Sequence, residues 1–223
     1  MTGIHRKTDL SLNYLETTPG GGDASAELPL VIGLHGRGSN AQDLAAIAGA
    51  LDMRHHYRFI FPDAPRPFEP YPGKIWGFSW FDSWPPRKES LTKSRASLLA
   101  LIGELQLRYP TTPGRVALIG FSQGGLMSLD VGFRTKEPLA AIVCMSGAIH
   151  EEELPDLKAR RDQKVMIVHG TADNMIPVKA ARRTRLVLQE HGIDPVYEEF
   201  DMGHFVIEES MEAVANFLGD ALG

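Results

Sequence analysis

Short apolar runs alternate along this chain with longer segments of helical period, and that alternation leaves few folds open to it. The runs are Leu30 to Leu34, Arg58 to Phe61, Arg115 to Ile119, Ala140 to Met145, Lys164 to His169 and Val196 to Phe200. They are too short for helices, and most read as strands buried on both faces, as in a parallel sheet. Between them Ala41 to Leu51, Lys88 to Leu107, Gln123 to Arg134, Val178 to His191 and Ile207 to Leu222 read as helices. In the second of these Leu91, Leu98, Leu101, Ile102 and Leu105 form one apolar stripe. Strand and helix in turn predict a doubly wound α/β domain whose ligand sits beyond the carboxyl ends of the strands. With 223 residues the expectation is one domain over 1–223.

Charge and cysteine content narrow the function classes. Asp plus Glu is 28 against 23 Lys plus Arg, a net charge of −5 that leaves no cation excess for phosphate neutralisation. No nucleic-acid partner is expected. Cys144 stands alone, which removes a disulfide framework and fits a reducing compartment. His5, Arg6 and Lys7 run straight into Thr8 and Asp9 without the apolar stretch of a signal peptide. The longest apolar runs, such as Ala140 to Ile149, fall short of the ~20 residues a membrane span needs. A cytoplasmic chain without stable membrane insertion is expected. Gly20-Gly21-Gly22 reads as a turn between two early strands.

One segment breaks the alternation. Ten of the 18 aromatic residues lie between Tyr57 and Trp84, and seven of the 15 prolines fall between Pro62 and Pro86. Most of this stretch cannot be helix or central strand. Phe59 and Phe61 belong to a predicted strand, so the part left for a role at the site is Phe68 through Trp84.

Gly120-Phe121-Ser122-Gln123-Gly124 has the Gly-x-Ser-x-Gly form of a strained strand-to-helix turn that lifts a serine hydroxyl into the open. With 22 glycines in the chain such a string arises by chance about 0.1 times, so its context matters. It follows the apolar run ending at Ile119 and opens a helical segment, as such a turn requires. A serine nucleophile needs a histidine to take its proton and a carboxylate to orient that histidine. His150, His169, His191 and His204 follow Ser122, and His204 stands on the loop after the last predicted strand. His191 suits a helix C-terminus and His150 an exposed position. Asp173, on the loop after Lys164 to His169, is the favoured acid; Asp201 is its rival, and a helix N-cap is the alternative role for Asp173. Backbone donors for an oxyanion are expected from the amide of Gln123 and from the loop Leu34 to Asn40, where Arg37 would donate through its main chain. The Arg37 side chain is either solvated or turned to the site's mouth, His35 braces the loop, and Cys144 is a buried structural cysteine.

Taken together, LHGRGSN at 34–40, FPDAP at 61–65, WFD at 80–82, GFSQGG at 120–125, SGA at 146–148, HGTADNMIP at 169–177 and GH at 203–204 resemble the phospholipase/carboxylesterase family of α/β-hydrolases. That family includes acyl-protein thioesterases and small bacterial carboxylesterases. The resemblance implies an α/β-hydrolase fold, with a mostly parallel central sheet flanked by helices and no large cap domain. It also implies hydrolysis of short to medium acyl esters through an acyl-enzyme, with no cofactor and no metal. Ser122 would be the nucleophile, Asp173 the acid and His204 the base, with the Arg37 and Gln123 amides as oxyanion hole. Trp76, Phe78, Trp80, Phe81 and Phe205 are expected to contact a small-molecule ester. Lysophospholipase or acyl-thioesterase chemistry at the same site, a peptidase of this fold, or a non-catalytic binding protein are the other readings. The expected assembly is a monomer or homodimer.

Overall fold

A computed structural model describes residues 4–19, 27–52, 56–109, 111–157 and 160–223. The expected turn at Gly20-Gly21-Gly22 lies outside them. In chain order the elements are β1 (His5–Lys7), β2 (Tyr14–Thr17), β3 (Leu30–Leu34), α1 (Ala41–Ala45), α2 (Ala48–Leu51), β4 (Arg58–Pro62), β5 (Arg66–Phe68) and β6 (Gly77–Ser79). Then come α3 (Lys88–Arg108), β7 (Val116–Phe121), α4 (Gln123–Gly132), β8 (Ala141–Met145), β9 (Val165–Gly170), α5 (Lys179–Glu190), β10 (Val196–Phe200) and α6 (Glu208–Leu222).

Eight strands form one sheet in the order β1-β2-β4-β3-β7-β8-β9-β10. β2 pairs antiparallel with β1 and β4, and every pairing from β4 to β10 is parallel. β3 and β7 to β9 are almost wholly buried because helices cover both faces. Alternate β7 residues divide between the two: Ala117 and Ile119 pack under α2 and α6, Val116 and Leu118 under α3 and α4. β10 departs from the buried pattern expected of it, since as the sheet's edge it pairs only with β9 and leaves Val196 exposed.

Two further differences bear on the site. The helix expected over 41–51 is broken into α1 and α2, with the Ile47 amide donating to the Leu44 carbonyl in a tight turn (3.1 Å). The aromatic, proline-rich stretch contains the β5–β6 hairpin, a separate two-stranded sheet, and no large cap rises between β4 and α3.

Candidate active site

Ser122 sits between β7 and α4 with φ 57° and ψ −116°, a left-handed conformation that costs energy in any residue with a side chain. Its neighbours explain how the turn is held. A Cβ on Gly120 would lie 2.0 Å from the Gly124 carbonyl oxygen, and one on Gly124 would lie 2.0 Å from that of Leu34. Only glycine fits at either position, so β3, β7 and α4 close against each other beneath the serine. The Ser122 amide donates to the Met145 carbonyl (2.9 Å), tying the turn to β8.

The loops after β9 and β10 bring the other two groups. The Thr171 amide donates to Phe200 and the Ala172 amide to Met202, and a Cβ on Gly170 would strike the Met202 carbonyl at 2.2 Å. This close seam sets Asp173 and His204 side by side. His204 Nδ1 donates to Asp173 Oδ2 at 2.7 Å, and the Ser122 hydroxyl donates to His204 Nε2 at 2.9 Å. A carboxylate only accepts, so the proton belongs on Nδ1 and the Nε2 lone pair faces the serine. Burial opposes the charge on Asp173, but the bond from His204 and those from the Ile176 and Met175 amides outweigh it and hold the carboxyl below the usual carboxylate range. These amides belong to the turn before α5, whose N-cap is Val178, so Asp173 does not cap that helix. Asp201 is exposed and does not bond to His204.

His169, at the end of β9, is fully buried, and its Nε2–H donates to the Ile176 carbonyl at 2.7 Å. It thereby pins the same turn that presents amides to Asp173, a role the sequence does not reveal. His35 is also buried: Nδ1–H donates to the Gly36 carbonyl (2.7 Å) and Nε2 accepts from the Ala64 amide (3.0 Å). Burial pushes its basicity down, so it braces the loop as a neutral ring. Burial also pushes the Cys144 thiol up to about 12, which leaves it no nucleophilic role.

The loop after β3 is stitched to the hairpin. The Gly38 amide donates to the Phe78 carbonyl (2.8 Å) and the Phe78 amide to that of Ser39 (2.7 Å). Gly38 adopts φ 76°, and a Cβ on Gly77 would lie 2.4 Å from its carbonyl oxygen. Among the described residues neither the Arg37 nor the Gln123 amide has an acceptor within the protein, the condition for a pair of oxyanion donors.

A cavity of about 600 Å³ opens over Ser122 and His204. Leu44, Ile47, Phe68, Phe121, Met145, Met175, Phe205 and Val206 make its walls largely apolar, with Arg37, Ser39 and Asp43 on one side. Of the expected substrate contacts, Phe205 lines it. Trp76, Phe78, Trp80 and Phe81, expected beside it, do not line this cavity. Trp80 and Phe81 are buried in the core beneath α3. The Trp80 indole N–H donates to the His35 carbonyl (2.8 Å), its amide donates to Gln123 Oε1 (3.0 Å), and Gln123 Nε2 donates to the Phe81 carbonyl (2.9 Å). These two aromatics thus join the candidate oxyanion residues from behind. Phe78 packs half-buried against the same core, and Trp76 is exposed beside Tyr71 and outside the cavity's lining. Leu44 and Ile47 escaped sequence reading because residues three apart on a helix look the same whether they face a core or a cleft.

Among the described residues no three His, Cys, Asp or Glu side chains converge as a metal would require, and no helix is long and apolar enough to cross a membrane.

Comparison with known proteins agrees with this architecture. The family model described as Phospholipase/Carboxylesterase matches residues 22–222. Acyl-protein thioesterase 1 of Neurospora crassa is 31% identical over 114 residues, which span 48% of this chain and 46% of that protein. The chain thus spans about half the length of that relative. Mouse lysophospholipase-like protein 1 is 25% identical over 204 residues, 84% of each chain. Among solved structures, esterase PE8 superposes with a TM-score of 0.77 at 27% identity, covering 99% of both chains. A Mesorhizobium loti carboxylesterase has a TM-score of 0.82 over 98% of both chains at 17% identity, a likeness of fold alone. With residues 22–222 matched by that family model and nearly its whole length superposed on an esterase, the chain belongs to the phospholipase/carboxylesterase family of α/β-hydrolases.

Proposed function

We propose that this protein is a serine hydrolase that cleaves short to medium acyl esters through an acyl-enzyme. The observation that carries the reading is the chain of hydrogen bonds from Ser122 through His204 to Asp173 at the floor of an apolar cavity. Ser122 Oγ attacks the ester carbonyl while His204 Nε2 takes its proton, and Asp173 steadies the imidazolium that forms. The Arg37 and Gln123 amides donate to the oxyanion, each worth roughly 3 to 4 kcal/mol by comparison with other serine hydrolases. His204 then protonates the leaving alcohol, and a water activated by the same imidazole releases the acid. Cleavage of thioesters or lysophospholipids by the same steps is the second reading, favoured by the names of the thioesterase and lysophospholipase-like relatives.

The apolar walls predict a preference that a 4-nitrophenyl ester series measures. Each methylene buried is worth about 0.8 kcal/mol, so kcat/KM should rise up to about fourfold per carbon from acetate toward hexanoate. A profile that is flat or falls from acetate would contradict an acyl chain lying along Leu44, Ile47 and Val206. An oxygen ester and a thioester of one acyl group, compared directly, decide between the two leaving-group chemistries.

A further inference from the structure

We propose that the Arg37 side chain forms an anion subsite, so that the preferred esters carry a carboxylate or phosphate a few bonds from the scissile carbonyl. The inference deepens the ester-hydrolase reading and rests on it. Arg6, Arg58, Arg87, Arg95, Arg108 and Arg182 each meet a carboxylate. Arg37 makes no ion pair or hydrogen bond with the described residues, although it stands in the wall of the cavity. Its guanidinium carbon lies 4.9 Å from the centroid of the Phe68 ring. Stacking of this kind holds a guanidinium by its face and leaves its N–H edges free to meet an anion bidentately.

The platform beneath it is built. Phe68 on β5 pairs with Gly77 on β6, and β6 is bonded to the 38–39 backbone. The ring lies so close on Gly38 that a Cβ there would approach it to 2.9 Å. Part of the aromatic segment therefore orients a cation instead of walling the cleft with rings alone. With the Arg37 amide as an oxyanion donor, its guanidinium stands within one side-chain length of the reacting carbonyl. Asp43 shares this wall, but its carboxylate accepts from Ser39 Oγ (2.9 Å) and Asn40 Nδ2 (3.0 Å) in the first turn of α1. Arg37 is exposed at the cavity's edge, so an ion pair formed there is screened by salt. A net charge of −5 repels anions at long range, so a preference for them must arise locally.

Two matched pairs test this. On the acyl side, kcat/KM for 4-nitrophenyl hydrogen adipate is compared with that for 4-nitrophenyl hexanoate. On the alcohol side, 1-octanoylglycerol 3-phosphate is compared with 1-octanoylglycerol, all below micelle-forming concentrations. At low salt at least one anionic member should be favoured roughly tenfold, the scale of one charge-assisted bond, and the responding pair identifies which part of the ester bears the charge. About 0.5 M salt should bring that ratio toward one in the wild-type protein. Arg37→Leu should lower it roughly tenfold, and Arg37→Lys should keep part of it. Neutral esters favoured in both pairs, or a ratio unmoved by salt and by Arg37→Leu, would overturn the subsite. The salt series needs no variant, so it decides even where Arg37→Leu fails to fold. Failure of the wild type to hydrolyse any of the four esters would instead refute the hydrolase reading.

Discussion

Ser122→Ala should lower kcat on a 4-nitrophenyl ester by about a millionfold, the loss seen when the nucleophile of an unrelated serine hydrolase is removed. The size follows from what the residue does. Without Oγ no acyl-enzyme can form, and the only catalysis left is what the oxyanion donors and the cleft give to attack by water. Alanine has the same Cβ at φ 57°, so the turn is no more strained than before, and the glycines at 120 and 124 still seat it. The melting temperature should therefore be unchanged or higher, since a site built for activity commonly costs stability. Retention of more than a percent of wild-type kcat by the folded variant would mean another group carries the reaction.

Asp173→Asn should cost about four orders of magnitude in kcat while leaving the fold intact. The carboxylate receives bonds on both sides: Oδ1 from the Met175 and Ile176 amides, at 2.9 and 2.8 Å, and Oδ2 from His204. In an asparagine the amide oxygen must take the place of Oδ1, because the two backbone groups only donate. Its NH2 then faces His204 Nδ1, which must accept, so the ring proton moves to Nε2 and the hydroxyl of Ser122 loses its base. The substitution also removes a pH dependence. The Asp173 carboxyl binds its proton less readily in the folded chain than in the unfolded one. Its contribution to stability is therefore full above the unfolded value of about 3.9 and is lost as pH falls through the lower folded value. Urea unfolding of both proteins between about pH 3 and 7 should show the stability of the wild type relative to the variant falling at the acid end. A difference independent of pH would contradict the bonding assigned to this carboxylate.

The parts of the site that were legible in the sequence are those governed by backbone geometry. Leu30–Leu34 and Val196–Phe200 have the bounds read from their composition, and the places of Ser122, Asp173 and His204 follow from turns at the carboxyl ends of β7, β9 and β10. β7 runs two residues past the expected Ile119 because Gly120 and Phe121 still pair with Cys144 and Met145. The cleft wall depends on side-chain direction, which composition does not carry. Aromatic content marks Trp80 and Phe81 as candidates for a groove, yet their bonds to His35 and Gln123 make them the support of the loop on its far side. Whether Leu44 and Ile47 face a cavity or a core turns on the break between α1 and α2, where no proline stands and Gly49 alone, inside α2, weakens the helical pattern. Phe68 is the member of the aromatic segment that reaches the cavity, and it does so because β6 holds β5 against the 38–39 backbone.

Covalent labelling with a fluorophosphonate tests the central claim most directly. The reagent phosphonylates a serine only where a base removes its proton and donors receive the developing oxyanion. Peptide mass mapping of the folded, treated protein should find one equivalent of adduct on Ser122, with esterase activity falling in proportion to its occupancy. Well-folded protein that stays unlabelled, or that loses activity through an adduct on another residue, would contradict the account.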